Sequence, residues 1–191
     1  MSVDAPDADR FLLLPGWLDS DAAHWQSRWE ALHGCRRVEQ DDWLWPRRGD
    51  WMARLDEVVL ESERPAVLIA HSLGCHLAAA WGAHSSHASR VRAALLVAVP
   101  DTERDDMPPN LFNWRPIVRE RLPFASLAVV SSDDPYCTAD RALQFARDWG
   151  SEAVDIGACG HINGASSLGD WPQGRALLQA LLGRSPTIGA W

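Results

Sequence analysis

One stretch of the sequence, residues 67–77 (VLIAHSLGCHL), constrains the fold more than any other. The four apolar residues 67–70 predict a buried strand, and the alanine-rich run from Cys75 to about Ala83 predicts a helix. A serine, Ser72, lies in the short turn between them. Such a turn lifts the serine hydroxyl to the rim of a sheet, where the N-terminus of the helix favours developing negative charge.

Short apolar strands alternate with helices along the rest of the chain. Further strands are predicted at residues 11–14, 93–99, 126–131 and 153–156, with a weaker one at 36–40. Further helices are predicted from Ser20 or Asp21 to Gly34, from Trp51 (capped by Asp50) to about Glu61, from Thr138 or Asp140 to Trp149, and from Gln173 to Leu182, ended by Gly183. The alternation predicts an α/β fold, with a mostly parallel sheet and helices on both faces. We expect one domain, residues 10–183, between a flexible leader (1–9) and a tail (184–191).

The composition excludes several classes of function. The net charge of −8 argues against nucleic acid or an anionic membrane as the main partner. All 18 basic residues are arginine, which excludes a lysine Schiff base and a P-loop. The seven histidines lack the spacing of a metal site, so we expect no metal and no cofactor. Four scattered cysteines, no secretory signal and no membrane span predict a cytoplasmic protein with free thiols.

Polar residues follow three of the predicted strands. The carboxyl ends of parallel strands meet at one edge of a sheet, so these residues should converge there. Ser72 is a candidate nucleophile, although Ala70 stands where a G-x-S-x-G motif has its first glycine and the serine could equally cap the helix. His161, after the last strand, could take the serine's proton, and either Asp133 or Asp134 could orient that histidine. Spacing alone does not decide between the two aspartates, and Asp-Pro is also ordinary turn chemistry.

Two further features bear on the same edge. The backbone N–H groups of Trp17 or Leu18, together with that of Leu73, could hold a tetrahedral oxyanion, although Pro15-Gly16 also fits a plain turn. Cys75 lies three residues after Ser72, and we expect it to pack inside the protein instead of acting as a nucleophile.

Four motifs, in order, resemble the small α/β-hydrolases grouped with YdeN and the retinoblastoma-binding serine hydrolase. They are PGW-L-x-S…HWQ-x-x-W in 15–29, HSLGC in 71–75, S-x-DDPYC in 131–137 and GHIN…G-x-WP-x-G in 160–174. The resemblance implies a compact α/β-hydrolase, a Rossmann-like three-layer sandwich without a large cap domain. It also implies a triad of Ser72, Asp134 and His161, and thereby selects Asp134 over Asp133. It implies a reaction type but no particular substrate.

The 11 tryptophans and the long irregular segment 102–123 suggest where a substrate binds. Trp17, Leu18 and Trp171 lie in motif loops beside the predicted site, and Phe112 and Trp114 lie in the irregular segment. We expect Leu18, Phe112, Trp114 and Trp171 to contact substrate, with residues 110–114 lining an apolar acyl or alcohol pocket. Packing over the sheet edge is the alternative for this segment.

The leading hypothesis is a serine hydrolase that cleaves a small ester, amide or thioester through an acyl-enzyme. One alternative is a binding or scaffold protein that keeps the hydrolase fold, because a fold does not determine a function. Another is an acyltransferase, which passes the acyl group to an alcohol or amine. The expected partner is a small ester-like molecule, and the sequence leaves its identity and the oligomeric state open.

Overall fold

A computed structural model describes residues 9–184 of the chain. The expected leader and tail lie outside the described residues, apart from Asp9 and Arg184. Asp9 forms an ion pair with Arg92, and Arg184 is the last residue of the final helix.

A six-stranded parallel sheet forms the centre of the described chain, in the order β2-β1-β3-β4-β5-β6. The strands are β1 (Arg10–Leu14), β2 (Arg36–Arg37), β3 (Ala66–His71), β4 (Val91–Val97), β5 (Ala125–Val130) and β6 (Glu152–Asp155). The helices are α1 (Trp25–His33), α2 (Arg48–Leu60), α3 (Leu73–His84), α4 (Ala139–Trp149) and α5 (Pro172–Arg184). Short 3-10 helices span Ala88–Arg90, Pro109–Trp114 and Gly164–Ser166.

Two apolar clusters, one on each face of the sheet, make the core. One packs α2, α3 and α4 against the sheet, and the other packs α1 and α5. The predicted α/β architecture with helices on both faces is confirmed, and no cap domain covers the sheet in the described chain. No helix among residues 9–184 is both long enough and apolar enough to cross a membrane.

The first helix begins later than the sequence predicts, at Trp25. Its cap is His24, whose Nδ1 accepts the N–H of Gln26, whereas Asp21 makes a separate turn by accepting the N–H groups of Ala23 and His24. The apolar face expected from Trp25, Trp29 and Leu32 is only partly present. The two tryptophans are buried, but Leu32, in the last turn of α1, is 56% exposed.

Other helix boundaries also differ from the prediction. Helix α2 begins at Arg48, so Asp50 lies within its first turn instead of capping it. Helix α5 runs through Gly183, and α3 starts at Leu73, directly after the serine turn. The predicted end of α4 at Gly150, in the left-handed conformation, is confirmed.

Helix α3 approaches β1 so closely that only glycine fits at Gly74. A Cβ atom placed there would lie 2.1 Å from the carbonyl oxygen of Leu14. The lack of a side chain at Gly74 therefore lets the first turn of α3 lie against the end of β1, which positions the serine turn over the sheet edge.

We expect Gly74→Ala to lower the free energy of unfolding by about 3 kcal/mol, because the new methyl group meets backbone that cannot move aside. Gly49→Ala is the matched control. A Cβ at Gly49 meets no atom within 4 Å, and alanine favours a helix, so this variant should be unchanged or stabilised by up to about 1 kcal/mol. Urea denaturation of both variants measures the difference, and equal stability would contradict the role given to Gly74.

Candidate active site

Ser72 lies at the apex of a strained turn between β3 and α3. Its φ of 53° and ψ of −122° are rarely adopted by a residue with a side chain. The loop after β1 passes close by, since a Cβ at Gly16 would lie 2.7 Å from the Ser72 Cβ. This crowding leaves the hydroxyl at the carboxyl edge of the sheet, as the sequence predicts.

Ser72, His161 and Asp134 form a continuous hydrogen-bonded series. His161 Nε2 is 2.9 Å from Ser72 Oγ, and His161 Nδ1 is 2.9 and 3.0 Å from the two carboxylate oxygens of Asp134. The Asp134 side chain is 4% exposed and that of His161 is 9% exposed. With Nδ1–H donating to the carboxylate, Nε2 is free to accept the serine proton.

Two buried side chains hold the loop that carries His161. His71, the last residue of β3, donates from Nε2 to the backbone oxygen of His161 at 2.9 Å. Trp25, the first residue of α1, donates from Nε1 to the backbone oxygen of Ile162 at 2.8 Å. These contacts fix the loop against both the sheet and α1, and they give the HWQ stretch of the sequence a structural role.

The neighbouring residues Asp133 and Asp134 bind different parts of the site. Only Asp134 reaches the imidazole, and it also accepts the N–H of Tyr136. Asp133 Oδ1 accepts the Gly160 N–H at 2.7 Å and the Ser131 hydroxyl at 2.9 Å. Asp133 therefore joins the end of β5 to the loop that leads into His161.

The expected oxyanion donors lie beside Ser72. Leu73 is the first residue of α3, and Trp17 belongs to the loop that crosses Ser72. Within the described chain, neither backbone N–H has a protein acceptor, whereas the Leu18 N–H donates to the Trp43 oxygen at 3.2 Å. Of the two alternatives in the first loop, Trp17 is thus the one with a free donor.

A cleft of about 230 Å³ opens over this series of side chains. Leu18 lines it, and the contact with substrate expected of Leu18 stays a prediction. The cleft is also lined by Met107, Pro108, Leu111 and Tyr136.

Three of the expected substrate contacts are wrong, because none of them lines the cleft. Trp114 is 1% exposed, stacks edge-on against Trp51 and donates to the Pro46 oxygen. Trp171 packs against both Trp25 and Trp29 in the opposite core. Phe112 is half-exposed outside the cleft, with the Arg115 guanidinium over its ring. The large indoles gain more from full burial than they would at a partly wet cleft.

Cys75 packs in the interior, as expected. Its thiol is fully buried and donates to the Val97 oxygen, and burial raises its pKa far above the ordinary value. Cys137 is also buried, and burial raises its pKa to about 12. Neither thiol forms the thiolate that a nucleophile needs near neutral pH.

Sequence reasoning missed three residues around His161. His71 and Tyr136 place their rings 4.9 and 4.6 Å from the His161 ring, centroid to centroid. His24 packs against His71 at 4.5 Å. A signal was present for Tyr136, which is the one tyrosine in the sequence and follows the Asp-Pro pair.

Comparison with known proteins identifies the family. The sequence model of the serine hydrolases matches residues 11–180. The chain belongs to the serine hydrolase family. This confirms the resemblance to YdeN-like hydrolases. Among solved structures, the serine hydrolase is similar to a YdeN-like hydrolase from Pectobacterium atrosepticum, with 28% identity, 92% of this chain and 91% of that chain covered, and a TM-score of 0.81.

Two more distant structures share the fold. The ydeN gene product of B. subtilis is 16% identical, with 93% of this chain and 100% of that chain covered and a TM-score of 0.70. The esterase RhEst1 from Rhodococcus sp. is 12% identical, with 95% and 93% covered and a TM-score of 0.69. A search of the curated proteins gave no match to this serine hydrolase.

Three buried histidines make the stability of this serine hydrolase depend on pH. Burial lowers the pKa of His24 and of His76 to about 4 and holds that of His71 well below its usual value. Unfolding exposes all three to water, where each binds a proton below about pH 6.5. The unfolded chain therefore binds more protons, and the folded state loses stability as the pH falls from about 6.5 toward 4.

We expect the free energy of unfolding to fall by about 3 kcal/mol between pH 6 and pH 5, close to 1.4 kcal/mol per pH unit for each fully titrating histidine. Urea denaturation at both pH values measures this change. His76→Gln should reduce it by about one third, whereas His33→Gln, at an exposed position, should leave it unchanged. A fall in the wild type no larger than that in His76→Gln would contradict the prediction.

Proposed function

We propose that this serine hydrolase cleaves carboxylic esters through an acyl-enzyme on Ser72, with His161 as general base and acid and Asp134 as its partner. The observation that carries the proposal is the series of hydrogen bonds from Ser72 Oγ to His161 and from His161 to Asp134, at 2.9 Å in each case. A serine hydroxyl needs such an adjacent base, because it is a weak nucleophile at its own pKa.

The first half of the reaction forms the acyl-enzyme. Ser72 Oγ attacks the ester carbonyl carbon while His161 Nε2 takes the hydroxyl proton. The carbonyl oxygen becomes an oxyanion, for which the N–H groups of Trp17 and Leu73 are the donors. The carbon–oxygen bond to the leaving group then breaks, and His161 gives its proton to the departing alcohol.

The second half returns the free enzyme. A water molecule gives a proton to His161 Nε2 and attacks the acyl carbon, and the same two N–H groups hold the second oxyanion. The bond to Ser72 then breaks, and His161 returns the proton to Oγ as the carboxylic acid leaves. The buried carboxylate of Asp134 favours the imidazolium that forms in each half and keeps Nε2 directed at Ser72.

We also propose a cytoplasmic location. All four cysteines are unpaired, as a reducing compartment would keep them. The proposed substrate is a small molecule, since the site is a cleft of about 230 Å³.

The two aspartates provide a matched test. Asp134→Asn should lower kcat for p-nitrophenyl butyrate by about 10³- to 10⁴-fold, because an amide cannot stabilise the imidazolium or hold its tautomer. Asp133→Asn keeps an oxygen for the Gly160 N–H and should cost less than about tenfold. Equal losses in the two variants would contradict the roles proposed for them.

The same assay separates the alternatives. If the wild type cleaves no p-nitrophenyl ester of any acyl length, a binding or scaffold role is favoured over hydrolysis. If the acyl group appears on an added alcohol instead of as free acid, the enzyme is an acyltransferase. Chromatography of the products distinguishes free acid from transferred ester.

A further inference from the structure

The cleft over Ser72 has two chemically different walls. One wall comes from residues 107–111, where Met107 and Leu111 belong to the core that packs α2 and α3. The other comes from the loop before α1 and the loop after His161, and it carries Asp19, Asp21, His24 and Asn163. A substrate held at Ser72 therefore meets an apolar surface on one wall and a polar surface on the other.

The polar wall has negative charge without a cation of its own. No arginine is found among the described residues that line the cleft, and the sequence has no lysine. Asp19 is paired with Arg37, which does not line the cleft. Asp21 has no ion pair within residues 9–184, and its carboxylate lies against Gly164, in the loop that follows His161.

His24 gives independent evidence that this wall is built for a ligand. The residue lines the cleft and is only 3% exposed. Its Nδ1 accepts the Gln26 N–H, so in the neutral ring the proton is on Nε2. Nε2 has no hydrogen-bond partner among the described residues. A buried donor without an acceptor is costly, and a polar group of a ligand would satisfy it.

His24 also adds no positive charge to the wall. Burial lowers its pKa to about 4, so the ring is neutral at pH 7. The wall therefore presents an unpaired carboxylate on Asp21 and a neutral N–H donor on His24. A hydroxyl group can accept from His24 and donate to Asp21. An ammonium group can pair with Asp21. A carboxylate or phosphate would face the like charge of Asp21 without a compensating cation.

We propose, on the basis of the ester hydrolysis proposed above, that this wall is a specificity subsite. It takes substrates that carry a hydroxyl or ammonium group on one side of the ester and an apolar chain on the other, and it rejects anionic esters. Asp21 is the specificity-determining residue. Discrimination arises in binding, since Asp21 has no hydrogen bond with Ser72, His161 or Asp134.

Three p-nitrophenyl esters of equal acyl length test the subsite: the hexanoate, the 6-aminohexanoate and the monoester of adipic acid. At pH 7 and low salt, kcat/KM for the anionic adipate ester should be at least tenfold below that for the 6-aminohexanoate. Asp21→Asn should reduce this ratio several-fold. Glu120→Gln removes one exposed carboxylate far from the cleft and should leave both the ratio and the activity unchanged. Equal rates for the two charged esters, or an unchanged ratio in Asp21→Asn, would overturn the proposal.

A binding measurement keeps this test separate from the proposed hydrolysis. Nuclear magnetic resonance titration at 0.15 M salt gives the dissociation constants of hexylammonium and hexanoate for the unmodified protein. Hexylammonium should bind several-fold more tightly, and Asp21→Asn should remove the difference while Glu120→Gln keeps it. If no ester is cleaved but this preference is found, the hydrolysis proposal fails and the subsite stands. Equal binding of the two ions overturns the subsite.

Discussion

The position of Ser72 depends on a close contact between two backbone segments, the loop after β1 and the turn that joins β3 to α3. Gly16 and Gly74 make the contact possible, because a side chain at either would overlap its neighbour. The contact holds Ser72 at φ 53°, a conformation that the surrounding structure must stabilise. This strained conformation exposes the Ser72 hydroxyl at the sheet edge, beside the N-terminus of α3.

The partner of Ser72 is held by a different set of interactions. His161 lies in a loop, which would be variable in position if nothing fixed it. His71, Trp25 and Asp133 each donate to or accept from the backbone of that loop, and they come from β3, α1 and the end of β5. The 2.9 Å distance between Ser72 and His161 is thus the result of contacts between four separate parts of the chain.

The strands and the serine turn could be predicted because their signal is local. Apolar runs mark β3, β4 and β5, and Thr138 and Gly150 mark the two ends of α4. The start of α1 could not be predicted, because His24 caps the helix, whereas Ser20 and Asp21 were the better candidates by residue type. Trp114 and Trp171 were misplaced because burial of an indole depends on which distant residues surround it. The choice between Asp133 and Asp134 likewise required the path of the chain or a family resemblance.

The central claim is that Ser72 forms a covalent acyl-enzyme, and trapping the adduct tests it most directly. The protein would be treated with an alkyl fluorophosphonate, which transfers its phosphonyl group to the oxygen of an activated serine and releases fluoride. Intact mass and peptide fragmentation then locate the adduct. We predict one adduct per chain, on Ser72, and none in Ser72→Ala, while the exposed-serine control Ser86→Ala reacts like the wild type. An unmodified wild type, or equal modification of Ser72→Ala, would contradict the account.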